Sequence, residues 1–268
     1  MATLIKRLAI LNTSSVIAVI LVNYISQAFR LNGTTIGEVS SQYENLFTPA
    51  GYAFSIWGIV YLGLIAFVAF QIRRAFFSKK ASEFIQKMGY NFAIANIANA
   101  LWVIAFHYDF ILTSVFLMLI ILYSLLKIVL SNNMEKWDAP IEIIAFVWWP
   151  ICIYSGWIAV ATIANIAAFL TKIGFDGGGL SEVSWTFLMI VIATILNILM
   201  IFKRNMREFA LVGVWALVAI YVRHQETQEN IAFVALGGAA VIAIYVMLHG
   251  FRNRATSPFV KLKQRLRS

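Results

Sequence analysis

The chain has 268 residues, 61% of them hydrophobic and only 12% charged, with a mean hydropathy of +0.82, a net charge of +9 and a pI near 9.7. A soluble domain carries about twice that share of charge, so the composition excludes a soluble enzyme and a disordered tail. It gives no support to a nucleic-acid partner either, because a basic excess of this sign also arises from membrane topology.

Lys6 and Arg7 precede the first apolar run, at about residues 9–29. Ser26-Gln27-Ala28 after it has the look of a signal-peptide cleavage site, but the run is longer than an h-region and is read as a retained span. Further apolar runs follow at about 51–71, 90–107, 110–130, 141–170, 185–202, 208–223 and 231–250. Crossing a hydrocarbon core takes about 20 helical residues, and a helix satisfies its own backbone there. The expected fold class is therefore an all-α integral membrane protein with about eight transmembrane helices. The fifth run is longer than a span requires and contains Pro150, which predicts tilt or a kink.

Eight spans sort the charges by side. One side, shared by both termini, holds 18 of the 21 basic residues and a net charge of +13; the other holds Arg30, Lys172 and Arg223 and a net charge of −4. This places both termini in the cytoplasm, with the inner (plasma) membrane of a bacterium as the expected setting. The basic tail, 251–268, running from Arg252 to Arg267, is expected either to lie on anionic membrane lipid or to act only as the inside signal.

Positions that depart from lipid-like composition carry the functional information. The exterior loop 31–50 is too long for a minimal connector and reads as a lid or binding loop. Phe54, Trp57 and Tyr61 then recur at i, i+3 and i+7, stacking three rings on one helix face, with Tyr52 at the mouth. The third run holds Asn91, Asn96 and Asn99, followed by Trp102; amides there must face other helices or a cavity. In the fifth, Trp157, Ala161 and Asn165 share one face, a wall suited to a flat and mostly apolar ligand. Packing and interhelical hydrogen bonding account for the same residues without any ligand.

The remaining signals are weaker. Exterior loop 171–184 contains Gly177-Gly178-Gly179 and reads as a hinge, with no Lys-Ser or Lys-Thr to make a phosphate loop. Thr194, Asn197, Trp215 and the Gly237-Gly238-Ala239-Ala240 stretch read as packing positions of three further helices across 185–250. The single cysteine, Cys152, has no partner in the sequence, and His107, His224 and His249 show no ligand spacing, so neither a disulfide nor a metal site is expected. His107 and Asp109, the only close imidazole and acid, fall in a tight turn and read as capping, so no catalytic residue is assigned.

Three stretches together resemble the tryptophan-rich sensory protein and translocator protein (TspO/MBR) family. They are Thr48-Pro49-Ala50-Gly51-Tyr52-Ala53-Phe54-Ser55-Ile56-Trp57-Gly58-Ile59-Val60-Tyr61, Asn99-Ala100-Leu101-Trp102, and Tyr154-Ser155-Gly156-Trp157-Ile158-Ala159-Val160-Ala161-Thr162-Ile163-Ala164-Asn165. They occur in the family's order, and the resemblance covers about residues 8–170, the family's five-helix bundle, here assigned to 1–170. The family usually has two adjacent prolines where this chain has Pro49-Ala50, and the small members lack the three helices after residue 185.

The resemblance implies a pocket between the helices, under the first loop, for an apolar planar molecule such as a porphyrin, haem or a sterol-like lipid. It implies that Pro49, Tyr52, Phe54, Trp57 and Tyr61 line one wall, Asn99 and Trp102 another, and Trp157, Ala161, Thr162 and Asn165 a third. It also implies a homodimer and no required cofactor beyond that planar ligand. The expected function is a membrane sensor or receptor. A transporter of an amphipathic solute is the alternative, although no span carries a charged residue near its centre, as ion-driven carriers do. No span centre offers a lysine for a retinal Schiff base either.

Overall fold

The computed structural model describes residues 2–80, 82–254 and 257–265; Arg267, at the end of the expected basic tail, lies outside them. All regular structure among the described residues is helical. α1 (Ala2–Ala28) leads through a 3₁₀ turn at Leu31–Gly33 into α2 (Ile36–Gln42). A second 3₁₀ turn, Gly51–Ser55, opens α3 (Ile56–Phe76), followed by the short α4 (Glu83–Met88), then α5 (Asn91–His107) and α6 (Ile111–Ser131). The next long helix begins as α7 (Ile141–Ile143), passes through a π turn at Ile144–Trp148 and continues as α8 (Trp149–Lys172). α9 (Glu182–Arg204), α10 (Arg207–His224), α11 (Glu229–Arg252) and α12 (Pro258–Arg265) complete the chain.

Six of the helical stretches are long and apolar enough to cross a membrane, which makes this an all-α membrane protein. α5, an apolar helix of 17 residues, and α10, of 18 residues with Arg207, Glu208 and Arg223 near its ends, pack among them. At 1.5 Å per residue α5 is about 26 Å long, close to a hydrocarbon thickness. All eight expected apolar segments are helices, and their ends fall within a few residues of the expected ones except at the start. There α1 begins at Ala2, because the helix carries Lys6 and Arg7 with it, and Lys6 sits over the Phe76 ring.

Neighbouring helices close a ring: α1 packs on α3, α3 on α8, α8 on α6, α6 on α5, and α5 back on α1. α10 docks on the outside of α8 and gathers α9 and α11 around itself. The hydrophobic core is correspondingly double, one cluster inside the ring and a smaller one among α9, α10 and α11.

Glycine sets how closely these layers approach. Gly156 on α8 lies so near α10 that a Cβ there would stand 2.8 Å from the Phe209 carbonyl oxygen. Gly213 accommodates the Asn197 side chain and Gly238 that of Thr194, so the packing roles expected for those residues are realised at these contacts. Small residues serve here because lipid supplies no hydrophobic drive between helices, leaving close packing and hydrogen bonds to hold them. The disruption expected at Pro150 takes the form of the preceding π turn, where the ring's missing N–H and its clash with the previous turn are absorbed.

Three short helices, α2, α4 and α12, were not expected. α2 starts with a capping box, in which the Thr35 hydroxyl accepts from the Glu38 N–H and the Glu38 carboxylate accepts from the Thr35 N–H at 2.8 Å. The Thr-x-x-Glu signal was present inside what reads as a loop. In the tail, Lys261 of α12 donates to the Asp138 carboxylate and to the Ala139 carbonyl of the α6–α7 connection.

Replacing Gly156 with leucine should separate α8 from α10. The expected outcome is a lower unfolding temperature in detergent and loss of protection from proteolysis in 173–181, with Gly58→Leu, where a side chain meets open space, leaving both unchanged.

Candidate functional site

Seven of the eleven expected site residues line one cavity at the end of the ring nearest loop 31–50: Pro49, Phe54, Trp57, Trp102, Trp157, Ala161 and Asn165. α3, α5 and α8 supply the walls, and Ile36 and Ser40 of α2 join Pro49 from the loop above. The aromatic face expected on α3 is present, with Trp57 stacked on Tyr61 at 5.3 Å between ring centres. Trp157 meets Trp57 edge to face at 6.3 Å and Phe54 at 6.0 Å.

The other four expected residues stand elsewhere. Tyr61 lies behind Trp57 and Tyr52 packs edge to face on Trp215 of α10. Asn99 donates to the Tyr154 hydroxyl at 2.8 Å, and the Thr162 hydroxyl donates to the Ile158 carbonyl at 2.7 Å within its own helix. Trp102 and Asn165 are also bonded to each other, the indole N–H donating to the amide oxygen at 2.7 Å, while the Asn165 amide donates to Ser114 of α6 at 2.8 Å. Trp57 and Trp157 differ in that both indole N–H groups are buried with no acceptor. A buried donor left unpaired costs about 1–3 kcal/mol, and both of these donors belong to residues that line the cavity.

The cavity is about 40 Å³, room for a water molecule but not for a large ring. Drug-sized ligands occupy roughly 300–1,000 Å³, so a porphyrin enters only if the lid moves. The described lining contains no histidine, cysteine or methionine, so haem iron would find no axial ligand of those types here.

The lid, residues 31–50, is fastened to both parts of the molecule. On the ring side, Asn32 donates to the His107 carbonyl at 2.9 Å, and the Tyr43 hydroxyl donates to Asp109, which also pairs with Lys172 at 2.6 Å. On the α10 side, Ala50 N–H donates to the Ala219 carbonyl at 3.0 Å, Arg223 pairs with Glu44, and Trp215 donates to the Ala53 carbonyl at 3.1 Å. The sequence did not reveal that the appended helices hold the lid, since nothing local links residue 44 to residue 223.

A second hollow of about 600 Å³ lies beside the lid, between the end of α8 and the start of α9. Ile163, Ile166, Met189 and Trp185 make it apolar, and Glu44, Asp176 and Glu182 belong to its rim. A third, polar hollow of about 260 Å³ occupies the opposite end, among the α6–α7 connection and the adjoining ends of α10 and α11. Burial and the neighbouring Glu208 carboxylate push Glu135 there up to about 8.

With that geometry established, the family assignment follows from a match to the family model described as TSPO-like protein, over residues 9–248. The chain belongs to the TSPO-like family. The match runs through α9, α10 and most of α11, well past residue 170, where the motif resemblance stops. Membership points to a membrane protein of the sensor and translocator type. No curated protein and no solved structure matches the chain.

Two outcomes test the lid. The hydrogen bonds from Arg30 and the Thr35 N–H hold the Glu38 carboxyl below its ordinary value. At Asp109 burial acts upward, but the bonds from Lys172 and Tyr43 outweigh it and the net shift is downward. Stabilisation from such carboxylates is present above their ordinary range and lost as pH falls through the lowered values, so amide exchange in α2 should accelerate below about pH 4. At pH 7, Tyr43→Phe should raise the same exchange roughly two- to fivefold, the scale of an exposed polar contact.

Proposed function

We propose that the chain is a lidded receptor for a planar, largely apolar, metal-free ligand such as a free-base porphyrin, bound between α3, α5 and α8 with both termini in the cytoplasm. The observation that carries this reading is the pair of unpartnered indole N–H groups, on Trp57 and Trp157, in the wall of one aromatic cavity beneath a movable loop. Ring faces there offer stacking, and the two donors offer specificity for acceptor atoms on the ligand. Pocket expansion requires displacement of α2 and Pro49, which form its roof. Because the lid is tied to α10 at Ala219 and Arg223, that displacement loads the appended helices. Sensing rests on this linkage, in which ligand occupancy favours the open lid only through its higher affinity for that state.

The outer hollow of about 600 Å³ favours a second reading, an amphipathic solute held between α8 and α9 and passed along the lipid-facing side. One titration separates the two. Protoporphyrin added to detergent-purified protein should quench tryptophan fluorescence saturably, at least tenfold more weakly in Ala161→Leu and equally well in Ile166→Trp. Weakening confined to Ile166→Trp would move the ligand to the outer hollow. Quenching that never saturates would overturn the planar-ligand reading.

A further inference from the structure

At the end of the molecule opposite the lid, three segments far apart in sequence bring a thiol and two carboxylates together. Glu135 comes from the α6–α7 connection, Cys152 from the first turn of α8, and Glu208 from the start of α10. The Cys152 sulfur and a carboxylate oxygen from each glutamate all lie within 4.8 Å of one another. Cys152 is fully buried and free, and Glu135 Oε1 and Glu208 Oε2 are buried with no hydrogen-bond partner. The cluster adjoins the polar hollow of about 260 Å³, whose wall includes both glutamates.

We propose that Glu135, Cys152 and Glu208 form a binding site for a single divalent cation of the zinc type. Ligands around such an ion sit about 2.0–2.3 Å from it, so the three atoms need only close inward by about an ångström. Thiolate selects a borderline or soft metal over magnesium or calcium, and the two carboxylates supply the harder positions. The hollow leaves room for water as a fourth ligand, and His249, whose Nδ1 is buried without a partner, lines the same space.

Charge also closes. The guanidinium of Arg207 in the same wall, together with a divalent ion, neutralises two carboxylates and one thiolate. The other nearby bases are spoken for or exposed: Lys261 pairs with Asp138, Arg204 donates to the Val129 and Met134 carbonyls, and Lys136 faces solvent. Two contacts hold the Glu135 backbone in place beforehand, since Asn205 donates to its carbonyl at 2.7 Å and Arg204 grips the residue before it.

The chain's single cysteine makes the test unambiguous, because a sulfur-to-metal signal can come from Cys152 alone. Full-length protein in detergent, stripped with a chelator, is titrated with Co²⁺ and followed by its near-ultraviolet sulfur-to-cobalt charge-transfer band. The expected result is one Co²⁺ per chain with that band, displaced by Zn²⁺, absent in Cys152→Ser, and with affinity at least tenfold weaker in Glu135→Gln. Glu135→Gln removes one charge at an element outside the helices, and keeps the test valid if the serine variant misfolds. Cobalt bound without a sulfur band, a band insensitive to Glu135→Gln, or no binding would each overturn the site. The planar ligand plays no part in this readout, so the two proposals fail separately.

Discussion

Burial of α8 is the constraint from which the arrangement follows. In the most apolar stretch of Ile141–Lys172, 72% of residues are buried, against 28% in α9 and in α11. In a helix so enclosed, polar side chains find partners only in protein, since neither water nor lipid reaches them. Tyr154 therefore takes the Asn99 amide, and Asn165 takes Trp102 and Ser114. These bonds fix the rotation of α8 against α5 and α6, which turns Trp157 and Ala161 toward the lidded cavity. The same rotation leaves Cys152 facing Glu135 and Glu208 near the other end.

Close approach makes that burial attainable. Gly156 lets the α10 backbone reach α8, and once α10 is seated its C-terminal end meets the lid through Ala219 and Arg223 while its N-terminal end contributes Glu208. One helix outside the ring thus touches both ends of the molecule. The lid is fastened by weak, partly exposed bonds, and surface ion pairs contribute at most about 1 kcal/mol each. The ring below it is closed by packing around its whole circumference and has no such seam.

The two ends also differ in electrostatic character. Acidic residues gather around the lid, at Glu38, Glu44, Asp109, Asp176 and Glu182, while the opposite end carries most of the bases. The lidded cavity is aromatic, with the Trp57 and Trp157 N–H groups unpartnered, whereas the hollow at the other end is polar and adjoins two carboxylates and a buried thiol.

Hydrophobic run length determined the class and all eight long helices, because a chain in lipid has few ways to satisfy its backbone and each leaves a plain mark in composition. Helical periodicity also placed Trp57 with Tyr61, and Trp157 with Ala161 and Asn165, since residues three or four apart share a face whatever the surroundings. The capping box of α2 was equally legible at Thr35 and Glu38, though the length of the loop obscured it. Tertiary structure alone decided which faces meet. It drew Tyr52 away to Trp215, bound Asn99 to Tyr154, tied the lid to α10, and joined residues 135, 152 and 208. Each of these depends on how two helices approach and rotate in three dimensions, and the spacing of residues along one helix carries no record of its partner.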